Sequence, residues 1–348
     1  MKTRVESPQR FASGDGRTIY LICLEIFPGF FGNVYLIDDG ARRILVDTGS
    51  WFEASQRGLV EGIAALGSQL GARSVSLADV DCVLITHAHM DHFGGLSFVR
   101  GHNDAPVGIH RLDRRVLSHY EERVVVASKQ LRIFLARSGL SQRSVDSLMQ
   151  MYLAPKRHFG SLPVDFLLDG GAGVRAPLAS GETDLDIDVF HVPGHCPGQV
   201  CLRVGEVLLS ADHVLSRTTP HQSPESITLN MGLGHYLDSL RAIRAVDGLR
   251  LALGGHEEPI EDLPARVDEI CRAHQRRLEQ VIDACTEPKT TADVSRELFG
   301  GVHGYNVLLA LEEAGAHVEY LYHHGELVAA NVEEIAAEEN PVVRYVRA

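Results

Sequence analysis

The 348 residues predict an α/β protein of αββα type, two β-rich halves stacked between outer helices. Three observations carry this: a βαβ-like pattern over residues 17–110, a second series of short strands over 164–253, and helical periodicity flanking each half. Hydrophobic residues make up 45% and charged residues 23%, a balance that supports a packed core and excludes disorder throughout.

Residues 17–27 and 33–38 are apolar and β-branched on either side of the turn Pro28-Gly29-Phe30-Phe31-Gly32, and predict a strand pair. Residues 44–46 predict a third strand that ends at Asp47-Thr48-Gly49. Over 52–70, Leu59, Ile63, Leu66 and Leu70 recur at helical spacing. Residues 82–85 read as a buried strand, 106–110 as the next, and about 111–163 as an Arg-rich helical insertion bounded by Gly and Pro. Strands follow at 164–168, 185–192, 200–204 and 207–209, then a helix at 236–246, a strand at 249–253 and a long helix at 263–285.

The tail reads as a separate small module. Helices at 291–298 and 305–314 precede a hairpin of 317–322 and 327–332, turning at His323-His324-Gly325-Glu326. That order resembles a winged helix. The expected division is therefore a catalytic domain over 1–284 and a winged-helix-like module over 285–348.

The formal charge is −13, which works against non-specific nucleic-acid binding. Residues 1–16 are polar and lack the apolar core of a secretory signal, and no run approaches a membrane span. Six scattered cysteines with no CxxC pair suit a reduced, cytoplasmic protein.

The sharpest chemistry is Thr86-His87-Ala88-His89-Met90-Asp91-His92, directly after a buried strand. In an extended loop His87, His89 and Asp91 share one side, and His92 opens the next helix from another direction. Three imidazoles and a carboxylate so close together make a divalent-metal site with room for two ions. Three further strand ends carry the same chemistry: His191-Val192-Pro193-Gly194-His195-Cys196-Pro197-Gly198, Ser210-Ala211-Asp212-His213 and Gly254-Gly255-His256-Glu257. Cys196 reads as a packing residue. Phe30, Phe31, Trp51 and Phe93 are candidates for an apolar wall of the substrate site, and His213, Arg217 and His221 for anchoring an anionic group.

Together with Asp47, these motifs resemble the metallo-β-lactamase superfamily over residues 17–260. The resemblance implies that His87, His89 and His195 bind one metal, that Asp91, His92 and His256 bind another, and that Asp212 bridges them with Asp47 in support. The cofactors would be two Zn²⁺ ions, with manganese or iron as alternatives. A bridging hydroxide would be the nucleophile, oriented by Asp91. The last motif is similar to that of the glyoxalase II branch. The expected activity is hydrolysis of a small-molecule ester, thioester or lactone.

The alternatives are an endoribonuclease of the lactamase-like group, suggested by the tail, and a mononuclear iron dioxygenase on the same fold. Four basic and 11 acidic residues leave residues 285–348 at −7, the wrong sign for a nucleic-acid-binding winged helix. The tail reads instead as a packing or homodimerisation element. The full ligand set argues against the dioxygenase. The insertion is expected to cover the metal cleft or to build a subunit contact.

Overall fold

Alternating burial along the amino-terminal strands builds the first sheet of the computed structural model, which describes residues 7–67, 69–71 and 74–348. Of the polar residues 1–16, the first six lie outside the described residues. Strands β1 (Gln9–Ala12), β2 (Thr18–Phe27), β3 (Phe30–Asp38) and β4 (Arg43–Val46) form an antiparallel meander. Helix α1 (Glu53–Ala65) returns the chain to β5 (Cys82–Ile85), which pairs parallel with β4. Helix α2 (Leu96–Arg100) leads to β6 (Val107–Ile109). The insertion folds as α3 (Arg111–Ser118), α4 (Tyr120–Arg137) and α5 (Gln142–Leu153), with a 3-10 turn at Pro155–His158, before β7 (Phe166–Leu167) closes a seven-stranded sheet.

A hairpin of β8 (Arg175–Leu178) and β9 (Gly181–Asp184) precedes the second sheet. That sheet is β10 (Asp188–His191), β11 (Val200–Val204), β12 (Val207–Ala211) and, after α6 (Leu233–Arg244), β13 (Leu251–Gly254) parallel to β12. Helix α7 (Leu263–Ala284) follows. The inner faces of the two sheets meet in a core that includes Ile37, Leu84, Leu202, Leu209 and Leu253. The outer face of the first sheet packs under Leu59, Ile63 and Leu96 of α1 and α2, and that of the second under Leu240, Val267 and Ile270 of α6 and α7. These are the four layers of an αββα sandwich.

The tail runs β14 (Lys289–Thr290), α8 (Thr291–Phe299), α9 (Asn306–His323), β15 (Leu327–Ala329), α10 (Val332–Ala337) and β16 (Arg344–Arg347), with β16 central in a three-stranded sheet. The expected hairpin strand at 317–322 is instead the end of α9. Leu308, Leu311, Ala314, Val318 and Leu321 are buried at a spacing of three or four, a helical face that overrides the local β-propensity. His323 and His324 therefore end a helix rather than turn a hairpin. Leu308 and Leu311 also pack with Leu131, Leu135 and Leu148, so the insertion and the tail share one core.

Smaller differences have local causes. The β2–β3 turn shrinks to Pro28-Gly29, because Phe30 already pairs with Phe27. The helix expected at 52–70 ends at Ala65, and the strands at 164–168 and 185–192 shorten to Phe166–Leu167 and Asp188–His191. Among the described residues no helix is long and apolar enough to cross a membrane.

The inter-sheet core yields a stability prediction. Leu202 is fully buried between the sheets. Leu202→Ala should cost about 2–5 kcal/mol in denaturant unfolding, whereas Val328→Ala, 44% exposed, should stay within about 0.5 kcal/mol.

Candidate metal centre

Four strand ends open on the same edge of the sandwich, and each delivers its donors there. After β5 the chain bends sharply instead of running extended, and the backbone N–H groups of His92 and Phe93 both donate to the His89 carbonyl, each at 3.0 Å. This divides the motif between two sites. His87 and His89 meet at 3.0 Å, Nε2 to Nδ1, and with His195 form one group of potential ligand atoms. Asp91 goes with His92, Asp212 and His256 in a second group. The expectation that His87, His89 and Asp91 share one side of an extended loop is thus corrected. So is the helix start at His92: the residue sits in a turn, and α2 begins only at Leu96.

Asp212 joins the groups. Its Oδ2 lies 3.3 Å from His256 Nε2, 3.4 Å from His92 Nε2 and 3.7 Å from His195 Nε2. His256 Nε2 is also 3.5 Å from Asp91. The far nitrogens of the rings are anchored outside the cluster. His92 Nδ1 lies 2.8 Å from Asp47 Oδ2, His195 Nδ1 lies 2.7 Å from the His221 carbonyl, and His256 Nδ1 lies 2.7 Å from the Phe31 carbonyl. Such bonds turn Nε2 inward, as a metal ligand requires. Asp47 also accepts from the Thr86 N–H at 2.8 Å and its hydroxyl at 2.7 Å, tying β4 to β5. Inside the cluster, His92 Nε2, His195 Nε2 and Asp212 Oδ1 are buried with no hydrogen-bond partner. Buried polar atoms without partners are costly, so this donor set fits divalent cations.

Backbone strain concentrates at these ligands. Asp47, Ala211 and Glu257 all have positive φ, at 62°, 46° and 67°; one is a site carboxylate and the others flank Asp212 and His256. Gly255 is required by a close approach, because a Cβ there would collide with Asp212 Oδ1 and lie 2.7 Å from His92 Cε1.

Electrostatically the two groups differ. Burial lowers the pKa of His87 well below its ordinary value and that of His89 to about 3, so these rings are neutral. Burial lowers His195 as well, against the pull of Asp212. In the second group burial acts in the same direction but is outweighed by carboxylates. Asp212, Asp47 and Asp91 raise His92 well above its ordinary value, and Asp212 and Asp91 raise His256 to about 10.

The remaining candidates separate cleanly. Phe30 stands half-exposed at the rim, its ring 4.9 Å from that of His256, whereas Phe31 contributes its carbonyl rather than its ring. Trp51 stacks on His158 of the insertion at 5.4 Å and lines a cavity of about 550 Å³ with Phe93, Phe98 and Phe159. Phe93 itself is buried in the core beneath α1 and α2. His213 is a correction: it is fully buried and edge-on to Tyr236 at 5.4 Å, because Asp212, one position earlier, takes the exit toward the ligands. Arg217 is mostly exposed and pairs with Glu258 at 3.1 Å. His221 acts through its backbone on His195, and its ring pairs with Glu312 at 3.0 Å.

One buried residue escaped the sequence reading. Asp113 of α3 accepts from the Ala88 N–H at 2.9 Å, the Gly198 N–H at 2.8 Å and the Cys196 thiol at 3.1 Å. It therefore clamps the loop of His87 and His89 to the loop of His195. A Cβ at Gly198 would lie 2.6 Å from its carboxyl carbon. The one available signal was an acid alone among arginines in Arg111-Leu112-Asp113-Arg114-Arg115. A third grouping, His274, Glu313 and His317, is also buried, but Glu313 is already paired with Arg277 at 2.6 Å. It joins α7 to α9.

Residues 27–256 match the family model described as the metallo-beta-lactamase superfamily. The chain is 24% identical over 267 residues to the lactamase-like protein nscB of Trichophyton rubrum, spanning 76% of this chain and 61% of that protein's length. It is 25% identical to a beta-lactamase-like protein 2 homolog of Drosophila melanogaster, over 72% of this chain and 66% of that one. A metallo-beta-lactamase family protein of Thermus thermophilus superposes with a TM-score of 0.73 at 27% identity, covering 95% of this chain and 98% of that one.

Two predictions follow from the geometry. The surrounding carboxylates raise the pKa of His92 and, to about 10, that of His256, so in the metal-free centre a cation competes with protons for these rings. Metal loading at about pH 7.5 should release protons, and affinity should fall as pH falls. Titration calorimetry in buffers of different ionisation enthalpy reads this directly; buffer-independent heats would contradict it. Asp113→Ala should weaken metal retention by about 10–100-fold, measured by competition with a chelator.

Proposed function

The chain belongs to the metallo-β-lactamase superfamily, and from that membership we propose that it is a binuclear metal-dependent hydrolase of a small-molecule ester, thioester or lactone. The observation that carries the reading is Asp212, whose one oxygen lies within 3.7 Å of imidazoles from both ligand groups. His87, His89 and His195 would hold one cation and Asp91, His92 and His256 the other, with Asp212 shared. Zinc, or else manganese or iron, would lower the pKa of water toward about 7 and polarise the scissile carbonyl.

The protein's own groups do the rest. Asp91 is the most open of the three site carboxylates, at 16% side-chain exposure against 9% for Asp212 and 3% for Asp47. It is therefore the group placed to orient the attacking hydroxide. Asp47 holds the His92 ring in the orientation that keeps Nε2 inward. Phe30 and Trp51 supply apolar surface that excludes bulk water from the reacting carbonyl. Cys196 is no nucleophile, because burial pushes its thiol well above the ordinary range and the neighbouring Asp113 carboxylate adds to that.

The division into a catalytic unit over 1–284, with its insertion at 111–163, and a winged-helix-like module over 285–348 belongs to the same reading. The tail's two helices followed by a small sheet support it, although a short helix, α10, separates the last two strands, and its −7 charge favours a packing or homodimer contact over RNA. The absence of a disulfide among the described residues agrees with a cytoplasmic setting.

The test is a panel of thioesters, lactones, aryl esters and single-stranded RNA with metal-loaded protein. Turnover of carbonyl substrates is expected. Asp212→Ala should lose more activity than His256→Ala, since it removes a ligand from both ions. RNA cleavage that vanishes in His87→Ala, with no ester turnover, would overturn the assignment.

A further inference from the structure

We propose that Lys156, seated on the ring of Tyr152 beside the metal cleft, receives an anionic group at the far end of the substrate. The preferred substrates are then esters, thioesters or lactones that carry a carboxylate or phosphate away from the scissile carbonyl. This rests on the hydrolase reading and narrows its substrate class.

The cations of the insertion sort into three kinds. Arg111, Arg115 and Arg132 are paired with Asp169, Glu122 and Asp146. Others, such as Arg114 and Arg157, are exposed and have no ion pair among the described residues. Lys156 and Arg123 are the exceptions, half-buried yet without an ion pair among the described residues. The Lys156 ammonium lies 4.1 Å from the centre of the Tyr152 ring, and Arg123 makes one hydrogen bond, to Thr228 at 3.3 Å. A partly desolvated cation without a counter-ion is unfavourable by itself and is relieved by an incoming anion. Burial accordingly lowers the pKa of Lys156 to about 8, with the Glu312 carboxylate opposing.

Two chains of contacts connect its surroundings to the metal centre. Two residues on, His158 stacks on Trp51, which leads through Phe27 and Phe30 to His256 at ring separations of 5.3, 6.5 and 4.9 Å. On the other side Glu312 binds His221, whose carbonyl holds His195. Tyr305, 38% exposed, feels carboxylates of both sides: its phenol is pushed up by burial, then by Glu312, Tyr152 and Asp91.

A matched pair of esters tests this: the p-nitrophenyl hemiester of glutaric acid, which ends in a carboxylate, and p-nitrophenyl pentanoate, which is neutral. For the metal-loaded protein, Lys156→Met should raise KM for the glutaryl ester about tenfold, with kcat and the pentanoyl reaction little changed. Lys156→Arg should restore most of the loss. Equal effects on both esters would overturn the proposal. Thermal stabilisation by glutarate and by inorganic phosphate, compared between wild type and Lys156→Met, separates the two anions and does not depend on turnover. If neither ester is cleaved but one anion stabilises only the wild type, the anion site stands and the hydrolase reading falls. Equal stabilisation of both proteins would remove the site.

Discussion

The structure depends on one carboxylate, Asp212, placed where imidazoles from three separate loops converge. Its surroundings are otherwise hostile: the side chain is 9% exposed, Asp91 and Asp47 lie nearby, and one oxygen has no hydrogen-bond partner. Buried like charges of this kind persist only when cations share the space. Without metal, the same carboxylates raise the pKa of His92 and His256 and so favour protons on those rings. The rest of the fold can be understood as the scaffold that keeps this arrangement from relaxing.

Two sheets and their helices provide that scaffold in layers. Parallel pairing of β4 with β5 and of β12 with β13 brings the ends of strands distant in sequence to the same edge. There the backbone is strained at Asp47, Ala211 and Glu257, and hydrogen bonds across the gap hold it. Asp47 spans β4 to β5, and Asp113 spans the two histidine loops. The insertion thus contributes a structural clamp through Asp113. The tail contributes too, through Glu312 on His221, so that no layer is independent of the centre.

Much of this was legible in the sequence because each ligand motif sits at the end of an apolar strand, within a few residues of its neighbours. Thr86 to His92 announces itself by local composition alone. What could not be read was set by distance or by backbone. The carbonyls of Phe31 and His221 are invisible as chemistry, since any residue offers one. Asp113 reaches 85 positions to Gly198 from a helix that looks like an ordinary charged surface. The residues 317–322 look like a strand by propensity, and only burial against α6 and α7 makes them helical. His213 follows Asp212 directly in sequence but packs against Tyr236 in space.

The central claim is that one carboxylate serves two cations. Crystals of the zinc-reconstituted protein, measured on both sides of the zinc absorption edge, test it most directly. The account predicts two anomalous peaks about 3.5–4 Å apart, one among His87, His89 and His195, the other among Asp91, His92 and His256, each touching an oxygen of Asp212. A single peak at full metal loading, or two peaks of which Asp212 touches only one, would contradict it.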